Sequence, residues 1–290
     1  MADPLPISYL NGEFLPLREA RISPLDRGFL YSDGVYEVMP VYAGRPFRFE
    51  AHAARLTHSL AAIQMEDPHT RAEWHELLSA LITRNGGGDQ YVYWQVTRGA
   101  EFGRNHAPLP KIPRTVFAFC APLPGIRPET LENGVACVTA EDTRWARCDI
   151  KSVSLLANIL LRQLAIDANA TETILLSDGQ LMEASSSAVH VVTDGVIVSP
   201  PRSRKILPGT TRSAMEEVAA RAGIPYRSEP VSEQQLRNAD EVWLSAATRE
   251  VQAVTQLDGK PVGTGKPGPV WRRIYDEWQR YKRELADQPW

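Results

Sequence analysis

The sequence predicts a mixed fold of helices and strands, α+β to α/β in organisation, divided into two domains. Three observations predict it. The chain has 290 residues and is 43% hydrophobic, enough for a large core. Short β-rich runs alternate with segments of helical period in both halves. Finally, Pro122-Leu-Pro124-Gly125-Ile-Arg-Pro128 packs three prolines and a glycine into seven residues, a stiff connection with few helix or sheet options. The expected division is a small N-terminal domain over 1–121, a linker over 122–128 and a larger C-terminal domain over 129–290.

In order along the chain, Ile7–Leu15 reads as a hairpin about Asn11-Gly12. Val35–Met39 and Val41–Phe49 read as strands paired around Ala43-Gly44. Residues 50–64 have helical spacing through Leu56, Leu60 and Ile63, and 71–84 through Trp74, Leu77, Leu78 and Leu81; Asn85-Gly-Gly-Gly88 stops the second helix. Tyr91–Thr97 and Thr115–Cys120 are rich in β-formers. Beyond the linker, strands are expected over 135–140, 172–176, 188–192, 196–198 and 241–245. Helices are expected over 153–168, 211–222, 233–238 and 269–285. In the last, Trp271, Ile274, Tyr275, Trp278 and Tyr281 form a stripe read as core packing.

Composition excludes several roles. The formal net charge of -3 gives no reason to expect nucleic acid or an anionic membrane surface as partner. No apolar run approaches the ~20 residues of a span, and the first residues lack a basic-then-apolar leader. Three cysteines without a CxxC point to free thiols in a reducing cytoplasm. There is no GxGxxG, no GxxxxGK[ST] and no HExxH, so neither a dinucleotide, a P-loop nor a metal site is expected.

The residues that carry chemistry are few. Lys151, in Trp145-Ala-Arg-Cys-Asp-Ile-Lys-Ser, is followed by the lone acid Glu183 beside a serine run, Ser185–Ser187. An amine for a Schiff base and a carboxylate to keep a pyridine nitrogen protonated are what pyridoxal phosphate chemistry needs. Taken alone the pair is weak, because most lysines are solvated. Thr210-Thr211 follows Pro-Gly at a helix start, which suits either an anion or a plain cap. Arg55 fits a phosphate fork and an ordinary helix charge equally well. Arg104-Asn-His106 lies in a loop rich in Gly and Pro and suits either a carboxylate or solvent. Tyr36 suits core or site.

Taken together these segments resemble the class IV, fold-type IV pyridoxal phosphate aminotransferases, and within them the bacterial D-amino acid aminotransferase type. The resemblance rests on Asp26-Arg-Gly28, Asp33–Val38, Phe49–Leu56, Gln95–Gly99, Arg104–His106, Arg144–Ser152, Met182–Ser187 and Leu207–Arg212, in register along nearly the whole chain. It implies a small α+β N-terminal domain and a larger domain with a barrel-like sheet core that carries the lysine. Lys151 would form the Schiff base and shuttle the proton. Glu183 would face the ring nitrogen, Leu207 would pack under the ring, and Arg55, Thr210 and Thr211 would hold the phosphate. Tyr36, Arg104 and His106 would take the substrate carboxylate. Arg144 and Ser185–Ser187 would support the cofactor. The Arg and His come from a neighbouring subunit in the family, which implies a homodimer with a shared site. The implied reaction is ping-pong transfer between a D-amino acid, such as D-alanine or D-glutamate, and 2-oxoglutarate or pyruvate.

Other activities on the same fold remain open at this point: branched-chain L-amino acid aminotransferase, (R)-amine transaminase, and aminodeoxychorismate lyase. The sequence also departs from the family pattern. Ala184 stands where glycine is common and Ala188 where asparagine is common; Ala246-Ala247 replaces hydroxyl residues near the phosphate.

Overall fold

A computed structural model describes residues 3–123 and 125–287. They form two compact units. One holds the described part of Met1–Pro124 together with Ile150–Ser154; the other holds Gly125–Asp149 and Leu155–Leu285.

The first unit contains β1 (Ile7–Leu10), β2 (Glu13–Pro16), α1 (Arg27–Tyr31), β3 (Gly34–Tyr42), β4 (Arg45–Pro46), α2 (Phe49–Ala62), α3 (Arg71–Arg84), β5 (Gln90–Thr97) and β6 (Thr115–Pro122). The strands make one antiparallel sheet in the order β2-β1-β6-β5-β3-β4. The expected hairpin forms, with Asn11 and Gly12 both at positive φ (48° and 105°), the conformation a two-residue turn requires. The strand expected over 41–49 is cut short. Arg48 takes φ 58° at the N-cap of α2, and the chain enters the helix at Phe49.

Strand alternation sorts the sheet's two faces. Val35, Met39 and Val41 join Val92, Trp94, Val96, Val116, Ala118 and Cys120 in one core with Leu56 and Leu60 of α2 and Trp74, Leu78 and Leu81 of α3. On the other face a row of half-buried rings runs across three strands. Tyr36 stacks on Tyr93 at 5.4 Å, and Tyr93 on Phe119 at 5.2 Å.

Residues 150–154 belong to this unit although the second unit flanks them in sequence. They run antiparallel along the edge of β3. Val35 bridges Ser152, the Tyr36 N–H donates to the Lys151 carbonyl at 3.0 Å, and the Val153 N–H donates to the Gly34 carbonyl at 3.1 Å. Ile150 enters the core just described. Two expectations change as a result. The lysine segment does not go with the 129–290 domain, and the helix expected over 153–168 begins only at Leu156, since the preceding residues are held to β3 by an isolated bridge at Ser152 and two backbone hydrogen bonds.

The second unit contains α4 (Pro128–Asn133), β7 (Val135–Glu141), α5 (Leu156–Asp167), β8 (Glu172–Ser177), β9 (Gln180–Ala184), β10 (Ala188–Thr193), β11 (Val196–Ser199), α6 (Thr210–Arg221), β12 (Tyr226–Ser228), α7 (Glu233–Arg237), β13 (Glu241–Ala246), β14 (Glu250–Leu257), β15 (Lys260–Pro261) and α8 (Pro269–Asp287). Its mixed sheet runs β12-β11-β10-β13-β14-β7-β8-β9, with β15 paired to β14. β7 and β8 are parallel neighbours, so a crossover must join them. That crossover contains both the 150–154 excursion and α5.

The sheet has to curl. β9 and β10 stand five strand spacings apart along this order, roughly 24 Å if the sheet were flat. Only Ser185–Ser187 joins them, a reach of at most about 15 Å. The Ala184 N–H donates to the Ser187 carbonyl at 2.8 Å, closing the link tightly. This agrees with the expected barrel-like core. Four residues of the aromatic stripe of α8 are core as expected, Trp271, Ile274, Trp278 and Tyr281 being buried, while Tyr275 is half-buried.

Asp26-Arg-Gly28 is explained by close approach. The Asp26 carboxylate caps α1 through the Gly28 N–H at 2.7 Å and accepts the Thr97 hydroxyl at 2.7 Å and the Thr115 hydroxyl at 2.6 Å. A Cβ on Gly28 would lie 2.3 Å from Thr97 Cγ2. We expect Gly28→Ala to destabilise the protein by about 1–3 kcal/mol through overpacking. Thr97→Ser, which keeps the hydroxyl and removes Cγ2, should return part of the loss; thermal melts of the single and double variants check both.

Candidate active site

The edge pairing of 150–154 fixes the backbone of Lys151 from two sides. Its carbonyl accepts from Tyr36, and its N–H donates to the Ser59 hydroxyl at 3.1 Å. The ammonium end lies 4.3 Å from the centroid of the Tyr36 ring, within cation–π range. The structure therefore joins two of the expected residues, Lys151 and Tyr36, directly.

On the opposite face of β3, Glu37 is fully buried. Arg55 clasps it in bidentate fashion, Nε to Oε1 at 2.7 Å and Nη2 to Oε2 at 2.7 Å, and His52 Nδ1 adds a contact of 2.8 Å to Oε2. Burial works against the Glu37 carboxylate, but the Arg55 charge, the Arg55 hydrogen bonds and His52 outweigh it and hold its pKa at about 2. His52 is pushed down, chiefly by its own burial. Arg55, expected at a phosphate, is thus oriented by a carboxylate that composition alone did not single out.

In the second unit Glu183 is the penultimate residue of β9, and it is buried. Its carboxylate accepts from Arg144 Nη1 at 2.6 Å and from the Leu207 N–H at 3.2 and 3.3 Å. Burial raises its pKa above the usual carboxylate range, opposed by Arg144 and the Leu207 N–H. Arg144 is itself held by Asp142, Nε to Oδ1 at 2.9 Å and Nη2 to Oδ2 at 2.8 Å. Glu183, Leu207 and Arg144 therefore form one cluster.

The hydroxyls of Ser185–Ser187 point elsewhere. All three donate to the buried carboxylate of Glu172, Ser186 at 2.6 Å and Ser187 at 3.2 Å, and Arg249 Nη1 joins them at 3.1 Å. In this chain the serines fasten the β9–β10 link.

Thr210 and Thr211 open α6, both buried, behind Gly209, which offers no capping side chain. By contrast, α3 and α7 begin with complete capping boxes, Thr70 with Glu73 and Ser232 with Gln235. A helix start of this kind favours an anion.

Arg104 and His106 lie on an exposed loop of the first unit. Tyr31 gathers them, its ring centroid 5.2 Å from Arg104 Cζ and 5.6 Å from the His106 ring. Neither makes a hydrogen bond or ring contact with Tyr36 within the chain, so the expected carboxylate trio is not assembled among the described residues of one copy.

Residues 34–257, more than three quarters of the chain, match the family model described as amino-transferase class IV. The chain belongs to the class IV aminotransferases. Among curated relatives of this aminotransferase, the D-alanine aminotransferase of Staphylococcus aureus (strain MSSA476) is 39% identical over 275 residues, 94% of this chain and 96% of the relative. That of Bacillus licheniformis is 38% identical over 264 residues, 91% and 93% of the two chains. Among solved structures, a branched-chain amino acid aminotransferase of Escherichia coli superposes with a TM-score of 0.91 at 26% identity, covering 100% of this chain and 98% of that one. A second branched-chain amino acid aminotransferase, from T.th. and solved with pyridoxamine 5'-phosphate, gives 0.89 at 27% identity, covering 98% and 95%.

The donor set of this aminotransferase fits pyridoxal phosphate. It offers a primary amine for the aldehyde, a buried carboxylate of raised basicity for the ring nitrogen, and an anion-favouring helix start for the phosphate.

Sequence reasoning missed Glu37 and Glu172 as organisers. One signal was available: Glu37 shares the inward face of β3 with Val35 and Met39, and a charge in that register must be paired. The sign of its pH effect follows. A carboxyl depressed from 4.5 to about 2 contributes stability that is complete above pH 4.5 and lost as pH falls from there through 2. The full span is worth on the order of 3 kcal/mol. Urea unfolding between pH 6 and pH 3 should therefore show a smaller loss for Glu37→Gln than for wild type, although the variant starts lower at pH 6. Equal losses would refute the assignment.

Proposed function

We propose that this class IV aminotransferase exchanges an amino group between a D-amino acid, such as D-alanine or D-glutamate, and a 2-oxo acid, 2-oxoglutarate or pyruvate. The observation that carries this reading is the 38–39% identity to D-alanine aminotransferases over more than nine tenths of the chain. The branched-chain structures share the fold at 26–27% identity, and fold agreement does not select a substrate.

Bound pyridoxal phosphate supplies an electron sink for the charge left at the substrate Cα. The protein's own groups do the rest. Lys151 Nζ would be the amine that attaches the cofactor and, when free, the base that would move a proton at the substrate Cα. Tyr36, against which this amine rests, limits its excursion. Glu183 would accept a hydrogen bond from the ring N–H; burial raises its basicity, and Arg144 opposes that rise. Leu207, whose N–H is tied to Glu183, would support the ring. Thr210 and Thr211 would hold the phosphate at the start of α6, and Arg55, oriented by Glu37, would add a fixed guanidinium. Arg104 and His106 take the substrate carboxylate, a planar fork and a second donor.

The enzyme is proposed to act as a homodimer that shares its sites. Leu156, Ile159, Leu160 and Leu164 fall on one face of α5 and are 70%, 62%, 61% and 47% exposed, and Phe102 in the Arg104–His106 loop is 99% exposed. An apolar stripe of this size calls for a partner surface. A second copy would also supply Arg104 and His106 to a site that one chain leaves without them. Among the described residues, no helix is long and apolar enough to cross a membrane. The three buried free cysteines suit a reducing cytoplasm, the proposed location.

A donor panel with 2-oxoglutarate tests the reading. D-alanine or D-glutamate should exceed L-leucine and (R)-1-phenylethylamine in kcat/KM, and Lys151→Ala should lose about 10⁴-fold or more. A preference for L-leucine would replace the substrate assignment, and pyruvate release without an acceptor would indicate a lyase.

A further inference from the structure

The loop bearing Arg104 and His106 has no regular structure of its own. Residues 102–110 are all exposed, and Gly103 sits at φ 124°. Yet its backbone is fastened from beneath at three points. Arg27, with a side chain only 4% exposed, donates from Nη1 to the Asn105 carbonyl at 2.6 Å and from Nη2 to the His106 carbonyl at 2.9 Å. Glu101 accepts the Leu109 N–H at 2.9 Å.

Arg27 is immobile in turn. Its Nε donates to Asp33 at 2.9 Å and its Nη1 to Glu101 at 2.5 Å, while its own N–H donates to the Gly99 carbonyl at 2.8 Å. Arg98 shares Asp33 through its Nε at 2.7 Å. Two cations and two carboxylates thus balance in one group, with Arg27 and Glu101 buried and Asp33 and Arg98 half-buried. One turn along α1, Tyr31 presents its ring to Arg27 on one side at 4.6 Å and to Arg104 at 5.2 Å. Consecutive carbonyls on one planar guanidinium fix the peptide planes on either side of His106. A lysine ammonium has no such fork.

We propose that Arg27, with Tyr31, is the positioning pair of the carboxylate-binding loop: it holds Arg104 and His106 in the geometry that receives the substrate carboxylate while touching no substrate itself. This rests on the role given to Arg104 and His106 above, and the test separates the two.

The measurement is the ratio of kcat/KM for D-alanine to that for D-alaninol, which has the same amine and chirality but no carboxylate, with melting temperature and bound cofactor measured in parallel. Arg104→Ala is the reference. It should lower the ratio at least about tenfold; an unchanged ratio would remove the carboxylate role of the loop, and this inference with it. Arg27→Lys keeps a positive charge and loses the fork. It should lower the ratio about tenfold or more, chiefly through KM for D-alanine, because displacement by an ångström costs up to about 10²-fold. Tyr31→Leu leaves the Arg27 ion pairs intact and should lower the ratio in the same direction; it decides the matter if Arg27→Lys does not fold. If Arg104→Ala lowers the ratio while the Arg27 and Tyr31 variants leave it unchanged, or lower both substrates equally, the positioning role is wrong and the carboxylate role stands.

Discussion

The backbone pairing of Gly34–Tyr36 with Lys151–Val153 is the constraint on which the rest of the site depends. β7 and β8 are parallel, so the chain between them must cross over, and the crossover is long enough to lend five residues to the first unit. Once those residues lie along β3, the backbone of Lys151 is fixed beside Tyr36, and its amine lies against the Tyr36 ring. Alternation then gives β3 two tasks. Its outward residue Tyr36 rests against the amine, while its inward residue Glu37 anchors α2 through Arg55 and His52.

Buried carboxylates recur as clamps elsewhere. Glu172 fastens the Ser185–Ser187 link that the curled sheet requires. Glu241 accepts the Val270 and Trp271 N–H groups at 2.8 and 2.7 Å and so caps the start of α8. Glu183 gathers Arg144 and Leu207. Each satisfies donors that would otherwise be buried without partners, and removing one partner of such a group commonly costs several kcal/mol. The scaffold thus uses carboxylates carried on strands to fasten the less regular stretches of chain beside them.

Much of this was legible in the sequence. The Asn11-Gly12 turn, the helical spacing of 50–64 and 71–84, and the aromatic stripe of α8 follow from local pattern and reappear as drawn. The segments shared with the class IV aminotransferases supplied the candidate residues. The excursion of Ile150–Ser154 was not legible, because a short extended segment that bridges a distant strand has no periodicity of its own. Nor were β9 and β14, which are short or polar runs defined by their neighbours. The serines were expected to support the cofactor because their partner, Glu172, lies at least 13 residues away and on another strand. Arg27 was visible only as part of a motif; its contact with the Asn105 and His106 carbonyls spans 78 and 79 residues.

The central claim is that Lys151 is the amine fixed for covalent cofactor attachment. The most direct test is to reduce the holoenzyme with borohydride, digest it, and map the pyridoxyl group by mass spectrometry. The account predicts the modification on the peptide containing Lys151. Stoichiometric modification of another lysine, such as Lys205 beside the Arg144 cluster, or of none, would contradict it.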